Sequence, residues 1–136
     1  MVSQPDGFGE WVRTLAAEIT GDPLWQQRAY QLALYMTHVA WDDASRLGHD
    51  PRTRRMADQL LHAVGSIGAN IAEGFSRGTG ADRGRFYEYA LGSARESRHW
   101  YCASVWALGQ DVVLARLATL TDIVRLLTAY LPDMRT

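Results

Sequence analysis

Apolar residues recur at three- and four-residue spacing along four successive stretches of this chain. From Leu24 to Leu47 they fall at Trp25, Ala29, Leu32, Met36, Val39 and Ala44, the spacing of one face of an α-helix. Asp22 before Pro23 predicts its start, as an N-cap followed by proline in the first turn, and Gly48 its stop. After a short turn through Gly48-His49-Asp50-Pro51-Arg52, a second helix is predicted from about Thr53 to Gly74, with Met56, Leu60, Val64, Ile67 and Ile71 inward. Glycines at 78, 80 and 84 mark Ser76 to Gly84 as the longest loop. A third helix from about Arg85 to Leu108 carries Phe86, Ala90, Ser93, Ser97, Trp100 or Tyr101, Ser104 and Leu108 on one stripe. Beyond Gly109-Gln110-Asp111 a fourth runs through Leu114, Leu117, Leu120, Val124, Leu127 and Leu131 until Pro132.

No strand pattern competes with these. Four helices of about 20 residues joined by short loops predict an all-α fold, an up-down-up-down antiparallel four-helix bundle spanning residues 22–136. Residues 1–21 fall outside it as a short N-terminal helical appendage that packs a Trp11–Leu15–Ile19 stripe on the bundle.

The second helix contains the least ordinary stretch, Ser66-Ile67-Gly68-Ala69-Asn70-Ile71-Ala72-Glu73-Gly74-Phe75. Ser66, Asn70 and Glu73 lie along one helical face, and polar groups on a buried face need partners. Gly65, Gly68, Ala69 and Ala72 are small enough to admit a neighbouring helix, and the two interior glycines each cost roughly 1 kcal/mol of helix propensity. Close contact is the expected compensation. Ser93 and Glu96 on the third helix are the natural partners across it, and a homo-oligomer would repeat such a polar network at every contact. Arg77, four residues after Glu73, is placed to pair with it.

At 136 residues, 47% of them apolar and 21% charged, the chain suits one globular domain. No apolar run approaches the roughly 20 residues that span a bilayer, and no basic-then-apolar leader opens the sequence, so the expected location is the cytoplasm. Cys102 is the lone cysteine, which excludes an intrachain disulfide or a cysteine-rich zinc site and reads as a partly buried thiol. The net charge of −1 hides an uneven distribution: residues 1–50 hold three Arg against seven acids, residues 51–100 eight Arg against five. Every basic residue other than histidine is Arg, the side chain best shaped for phosphate and carboxylate.

Catalytic patterns are weak. Glu96-Ser97-Arg98-His99 has the spacing of one di-iron half-site, but no second such pair exists on the first or fourth helix. His38, His49 and His62 show no ligand spacing, Gly78-Thr79-Gly80 lacks the lysine of a phosphate loop, and no serine has an adjacent base motif. No metal, cofactor or enzymatic activity is expected. Arg52, Arg54 and Arg55 sit at one end of the second helix and Arg77, Arg83 and Arg85 at the other, about 30 Å away. They are either solvated and paired with Asp58, Asp82 and Glu88, or, multiplied on a symmetric ring, circles of charge that engage phosphates. The aromatic set Tyr87, Tyr89, Trp100, Tyr101 and Trp106 exceeds what one stripe needs, so some of these rings must face outward.

The Ser66–Phe75 motif, Arg77, Phe86, Ala90-Leu91-Gly92-Ser93 and Glu96, with Trp25, Gln27, Ala29 and Gln59-Leu60, resemble the four-helix-bundle proteins named after intervening sequences in bacterial 23S rRNA genes. That family includes the accessory variability protein of diversity-generating retroelements. The resemblance covers roughly Pro23 to Leu131 and implies a non-enzymatic four-helix protomer that assembles as a homo-oligomer, typically a homopentamer. It further implies a scaffold binding RNA or DNA, a reverse transcriptase, or both. On that reading Ser66, Asn70, Glu73, Ser93 and Glu96 serve assembly, and Arg54, Arg55, Arg77, Arg83 and Arg85 contact nucleic acid. The alternative is a protein-interaction subunit without nucleic-acid binding, in keeping with the near-neutral charge.

Overall fold

The computed structural model describes residues 4–135; Met1–Ser3 and Thr136 lie outside it. The described residues are all-helical, without a strand. Two short helices, α1 (Phe8–Val12) and α2 (Ala17–Thr20), and a 3-10 turn (Pro23–Gln26) lead into α3 (Arg28–Gly48), α4 (Arg54–Phe75), α5 (Gly80–Ala103), the single turn α6 (Val105–Leu108) and α7 (Gln110–Arg135). Each long helix packs on the long helices next to it in the chain, and α7 returns to pack on α3.

Asp22 caps as its sequence suggests, its carboxylate accepting from Leu24 N at 2.8 Å, but it caps the 3-10 turn. Gln27 then takes an extended conformation (φ −75°, ψ 111°) and α3 starts anew at Arg28. The loop expected from Ser76 to Gly84 closes earlier, because Thr79 Oγ1 accepts from Asp82 N at 3.2 Å and starts α5 at Gly80. Pro132 does not end the last helix, which continues through it to Arg135.

The core is formed by three-four stripes: Ala29, Leu32, Met36, Ala40, Asp43 and Leu47 on α3, Leu60, Val64, Ile67 and Ile71 on α4, Tyr87, Ala90, Ala94, Ser97 and Tyr101 on α5, and Leu120, Ile123, Leu127 and Leu131 on α7. On α5 the sequence stripe was displaced by one residue in two places, to Phe86 and Ser93 in place of Tyr87 and Ala94, a rotation of about 100°. On α7, Leu114 is exposed and Val113 buried. Phe8 and Trp11 belong to the same core cluster, Phe8 lying edge-on to Tyr35 at 5.5 Å and Trp11 at 5.3 Å. The Tyr35 hydroxyl donates to the Asp6 carbonyl, so the N-terminal segment is held by a polar bond as well as by its rings. Ile19, expected on the same stripe, is exposed, and so is Cys102, in contrast to the partly buried thiol read from sequence.

Candidate nucleic-acid interface at the turn between two long helices

The α4–α5 turn is tightly built. A Cβ added at Gly74 would lie 2.8 Å from Tyr87 Cδ1 and 2.9 Å from Phe86 Cβ, so only glycine lets α5 come this near. A Cβ at Gly80 would lie 2.7 Å from the Met134 carbonyl oxygen, which ties the start of α5 to the last turn of α7. Tyr87 is fully buried behind this junction, and burial pushes its phenol up to about 12, with the Arg83 charge opposing and Tyr130 adding to the shift. The close approach expected of the motif's small residues is therefore concentrated at Gly74 and, less tightly, at Gly68 against Ala33 at 3.6 Å; Gly65 meets nothing.

On this base the turn places two guanidinium groups over one ring, with a third beside them. Arg77 Nη2 donates to the Glu73 carboxylate, the pair predicted from their spacing, while its Cζ stands 4.6 Å from the Phe86 centroid. Arg85 Cζ stands 5.3 Å from the same centroid, with Nη2 3.5 Å from Asp82 Oδ1. Arg83 Nη2 donates to the Arg77 carbonyl at 3.2 Å, and its buried Nε has no partner. Tyr89 packs edge-on to Phe86 at 5.6 Å with half its surface exposed, 51%. The Arg77 and Arg85 ion pairs are each at least a third exposed, so each contributes about 0–1 kcal/mol and exchanges readily for a phosphate.

Of the five arginines singled out for nucleic acid, the structure brings Arg77, Arg83 and Arg85 together. Arg54 and Arg55 are exposed at the far end of α4, where Arg54 Nε reaches the Gly48 carbonyl at 3.4 Å. The two groups do not form one patch within a protomer.

Within the single chain, four of the five polar positions expected to form a network, Ser66, Asn70, Glu73 and Glu96, bond through their side chains to neighbours on or next to their own helices. Ser66 Oγ donates to the His62 carbonyl at 2.7 Å, Asn70 Nδ2 to the Ser66 carbonyl at 2.9 Å, and Glu73 accepts from Arg77. On α5 the Ser93 carbonyl accepts from Ser97 Oγ at 2.8 Å, and Glu96 accepts from Trp100 Nε1 at 3.1 Å. The physical reason is register. The buried stripe of α4 is Leu60, Val64, Ile67, Ile71 and Gly74, so Ser66, Asn70 and Glu73 sit one position earlier, at the rim of the protomer. Ser66, Asn70 and Ser93 are half-buried and Glu73 and Glu96 exposed.

A different polar cluster occupies the interior. Asp43 is 2% exposed and accepts from Arg116 Nε at 2.8 Å, Arg116 Nη2 at 3.4 Å and the Tyr101 hydroxyl at 2.6 Å, joining α3, α5 and α7. Burial raises the Tyr101 phenol, and the neighbouring Asp43 charge raises it further. Burial alone would lower the Arg116 guanidinium, but its hydrogen bond to Asp43 and that carboxylate's charge outweigh it, and the net shift is upward. The signal was present in the sequence: 29, 32, 36, 40, 43 and 47 is an unbroken inward series on α3, and an aspartate within it demands a buried cation or donor.

Glu96 and His99, the one metal-like spacing, are both engaged with Trp100, whose ring lies 4.8 Å from His99. Among the described residues, no group of three or more His, Cys, Asp or Glu is placed to hold a metal ion. No described helix is long and apolar enough to cross a membrane.

The chain matches the family described as 23S rRNA-intervening sequence protein over residues 25–128. No curated protein matches it. Among solved structures it is similar to a protein of unknown function from the S23 ribosomal protein family of Bacteroides thetaiotaomicron VPI-5482, with a TM-score of 0.71 and 22% sequence identity over 76% of this chain and 97% of that one. At that identity the likeness bears on the fold alone.

Proposed function

The chain belongs to the 23S rRNA-intervening sequence protein family, and on that premise we propose that it is a non-enzymatic, homo-oligomeric scaffold that binds nucleic acid. The protomer is an up-down-up-down antiparallel four-helix bundle, with residues 1–21 attached to residues 22–136. The assembly is a homopentamer, joined through the rim that carries Ser66, Asn70, Glu73, Ser93 and Glu96. The observation that carries the nucleic-acid reading is the grouping on one tight turn of Arg77 and Arg85 over Phe86, with Arg83 bonded to the Arg77 carbonyl. Five copies of that turn hold phosphates that a single copy, with two of its three arginines already paired, holds poorly. Arg54 and Arg55 form a second circle of charge at the opposite rim. The protein partner on this reading is the reverse transcriptase of a diversity-generating retroelement.

Light scattering coupled to size exclusion, at low and high salt, with the 260/280 nm absorbance ratio recorded on protein from its native host, tests this directly. A mass of five protomers with excess 260 nm absorbance that is lost at high salt supports the scaffold; a monomer removes it.

A second reading, a protein-interaction subunit without nucleic acid, is favoured by large apolar side chains left in the open. Trp106 is 98% exposed, and Trp41, 69% exposed, borders a cleft of about 390 Å³ with Trp11, Leu15 and Leu34. A ring with a clean protein absorbance ratio selects this reading.

A further inference from the structure

The α4–α5 turn carries more than positive charge. We infer that the nucleic acid it takes is single-stranded, with an unpaired base stacked on Tyr89 and the adjoining phosphate held by Arg85; this rests on the nucleic-acid reading above. Three observations carry it. The first is the electrostatic supply. Arg77 is paired with Glu73 and Arg85 with Asp82, and Arg83 alone of the three bonds a carbonyl rather than a carboxylate. A surface that binds duplex through its phosphates alone depends on many unneutralised cations, since each phosphate contact contributes through the counterions it releases. One copy of this turn offers few, so a second source of affinity would add to the charge that repetition supplies.

The second observation is the ring that supplies it. Tyr89 is half exposed and packs against Phe86 at 5.6 Å in a near-perpendicular arrangement of 86°. The Arg77 and Arg85 guanidinium groups lie 4.6 and 5.3 Å from the Phe86 centroid. A platform ordered in advance loses little side-chain entropy on binding. Stacking a base on an exposed aromatic side chain is worth about 1–3 kcal/mol, and it requires a base whose face is free. Bases within a duplex have both faces covered.

The third is placement. Arg85 and Tyr89 are four residues apart on α5 and therefore share one helical face, about 6 Å apart along the axis. That is the distance from a base to the phosphate of its own or the adjoining nucleotide in an extended strand. The face continues through the small residue Gly92, beside which a Cβ would meet nothing within 4 Å. The strand is thus given room beside Tyr89 as far as Gly92, before Glu96 follows on the same face.

The test is fluorescence anisotropy of the assembled protein with a labelled twelve-residue unstructured pyrimidine strand, and with the same strand annealed to its complement. The expected result is tighter binding of the single strand by tenfold or more. Tyr89→Ala weakens it by about 5- to 160-fold, the factor that corresponds to stacking of one base, while Tyr89→Phe stays within about twofold. Equal affinity for strand and duplex, or single-strand binding unchanged by Tyr89→Ala while Arg83→Glu/Arg85→Glu abolishes it, overturns the single-strand inference and leaves the nucleic-acid reading standing. Binding of neither probe overturns both.

Discussion

Arg116 Nε donates to Asp43 Oδ2 across 2.8 Å, joining α7 to α3 although 73 residues separate the two in the chain. Asp43 is the one acidic side chain among the buried residues, and the Tyr101 hydroxyl donates to the same oxygen. Removing one partner of a buried pair leaves the other charge desolvated, which costs about 3–5 kcal/mol when the pair is fully enclosed. Arg116 keeps 24% of its side chain exposed, so the loss for Asp43→Ala is expected at roughly 2–4 kcal/mol. Urea unfolding measures it. Tyr101→Phe, which deletes only the third hydrogen bond, costs roughly 1–2 kcal/mol, and a cycle of Asp43→Ala with Arg116→Ala returns a coupling that a solvated pair would not.

Two glycines of α4, Gly65 and Gly74, are expected to respond in opposite directions to the same change. Gly74→Ala drives a methyl into the Tyr87 ring and is expected to destabilise by about 1–3 kcal/mol. Gly65→Ala meets nothing and gains helix propensity, stabilising by about 0.5–1 kcal/mol. Thermal unfolding of the two variants side by side reads the difference, and a shift of the same sign in both would contradict the packing at the α4–α5 turn.

Tyr87 sets an alkaline limit. Its folded pKa is raised by burial from 10 to about 12, so the neutral phenol is what the fold accommodates. Its contribution is fully present below pH 10, the unfolded value, and is lost as pH rises from 10 towards 12. Tyr101 is raised as well and adds to the loss over the same rise. Absorbance of tyrosinate followed together with helical circular dichroism is expected to show these two phenols ionising only as the helices melt. Tyr87→Phe moves that transition to higher pH.

Phe8 tests how far the N-terminal segment shares the stability of the rest. It is 5% exposed within the common core cluster, so Phe8→Ala is expected to lower global stability by roughly 2–4 kcal/mol, with fluorescence and circular dichroism changing together. An early fluorescence change that leaves the circular dichroism transition in place would instead mark residues 1–21 as an independent attachment.

Asn70 tests the assembly surface. Its side chain bonds only to its own helix and is half-buried at the protomer rim. Asn70→Leu is expected to redistribute the oligomer on light scattering while leaving the helical signal intact, and an unchanged mass removes Asn70 from the interface.

Helical periodicity was enough to place the four long helices to within about five residues, because the burial of an apolar face repeats every three or four positions and is written locally. The Glu73–Arg77 pair was equally legible, since its two members are four residues apart. The same local reading placed Phe86 and Ser93 inward and passed over Asp43, for one position of rotation moves a side chain by 100° and only the neighbouring helices decide which register fills the space. Tertiary structure likewise decided that Gly74 and not Gly65 is the close contact, that Phe8 enters the core, and that Arg77 and Arg85 lie over one ring with Arg83 beside them while Arg54 and Arg55 stand apart. Each of these depends on how separate elements meet and not on spacing along one helix. Spacing along one helix determines which residues share a face, and the packing of helices against one another determines what that face meets.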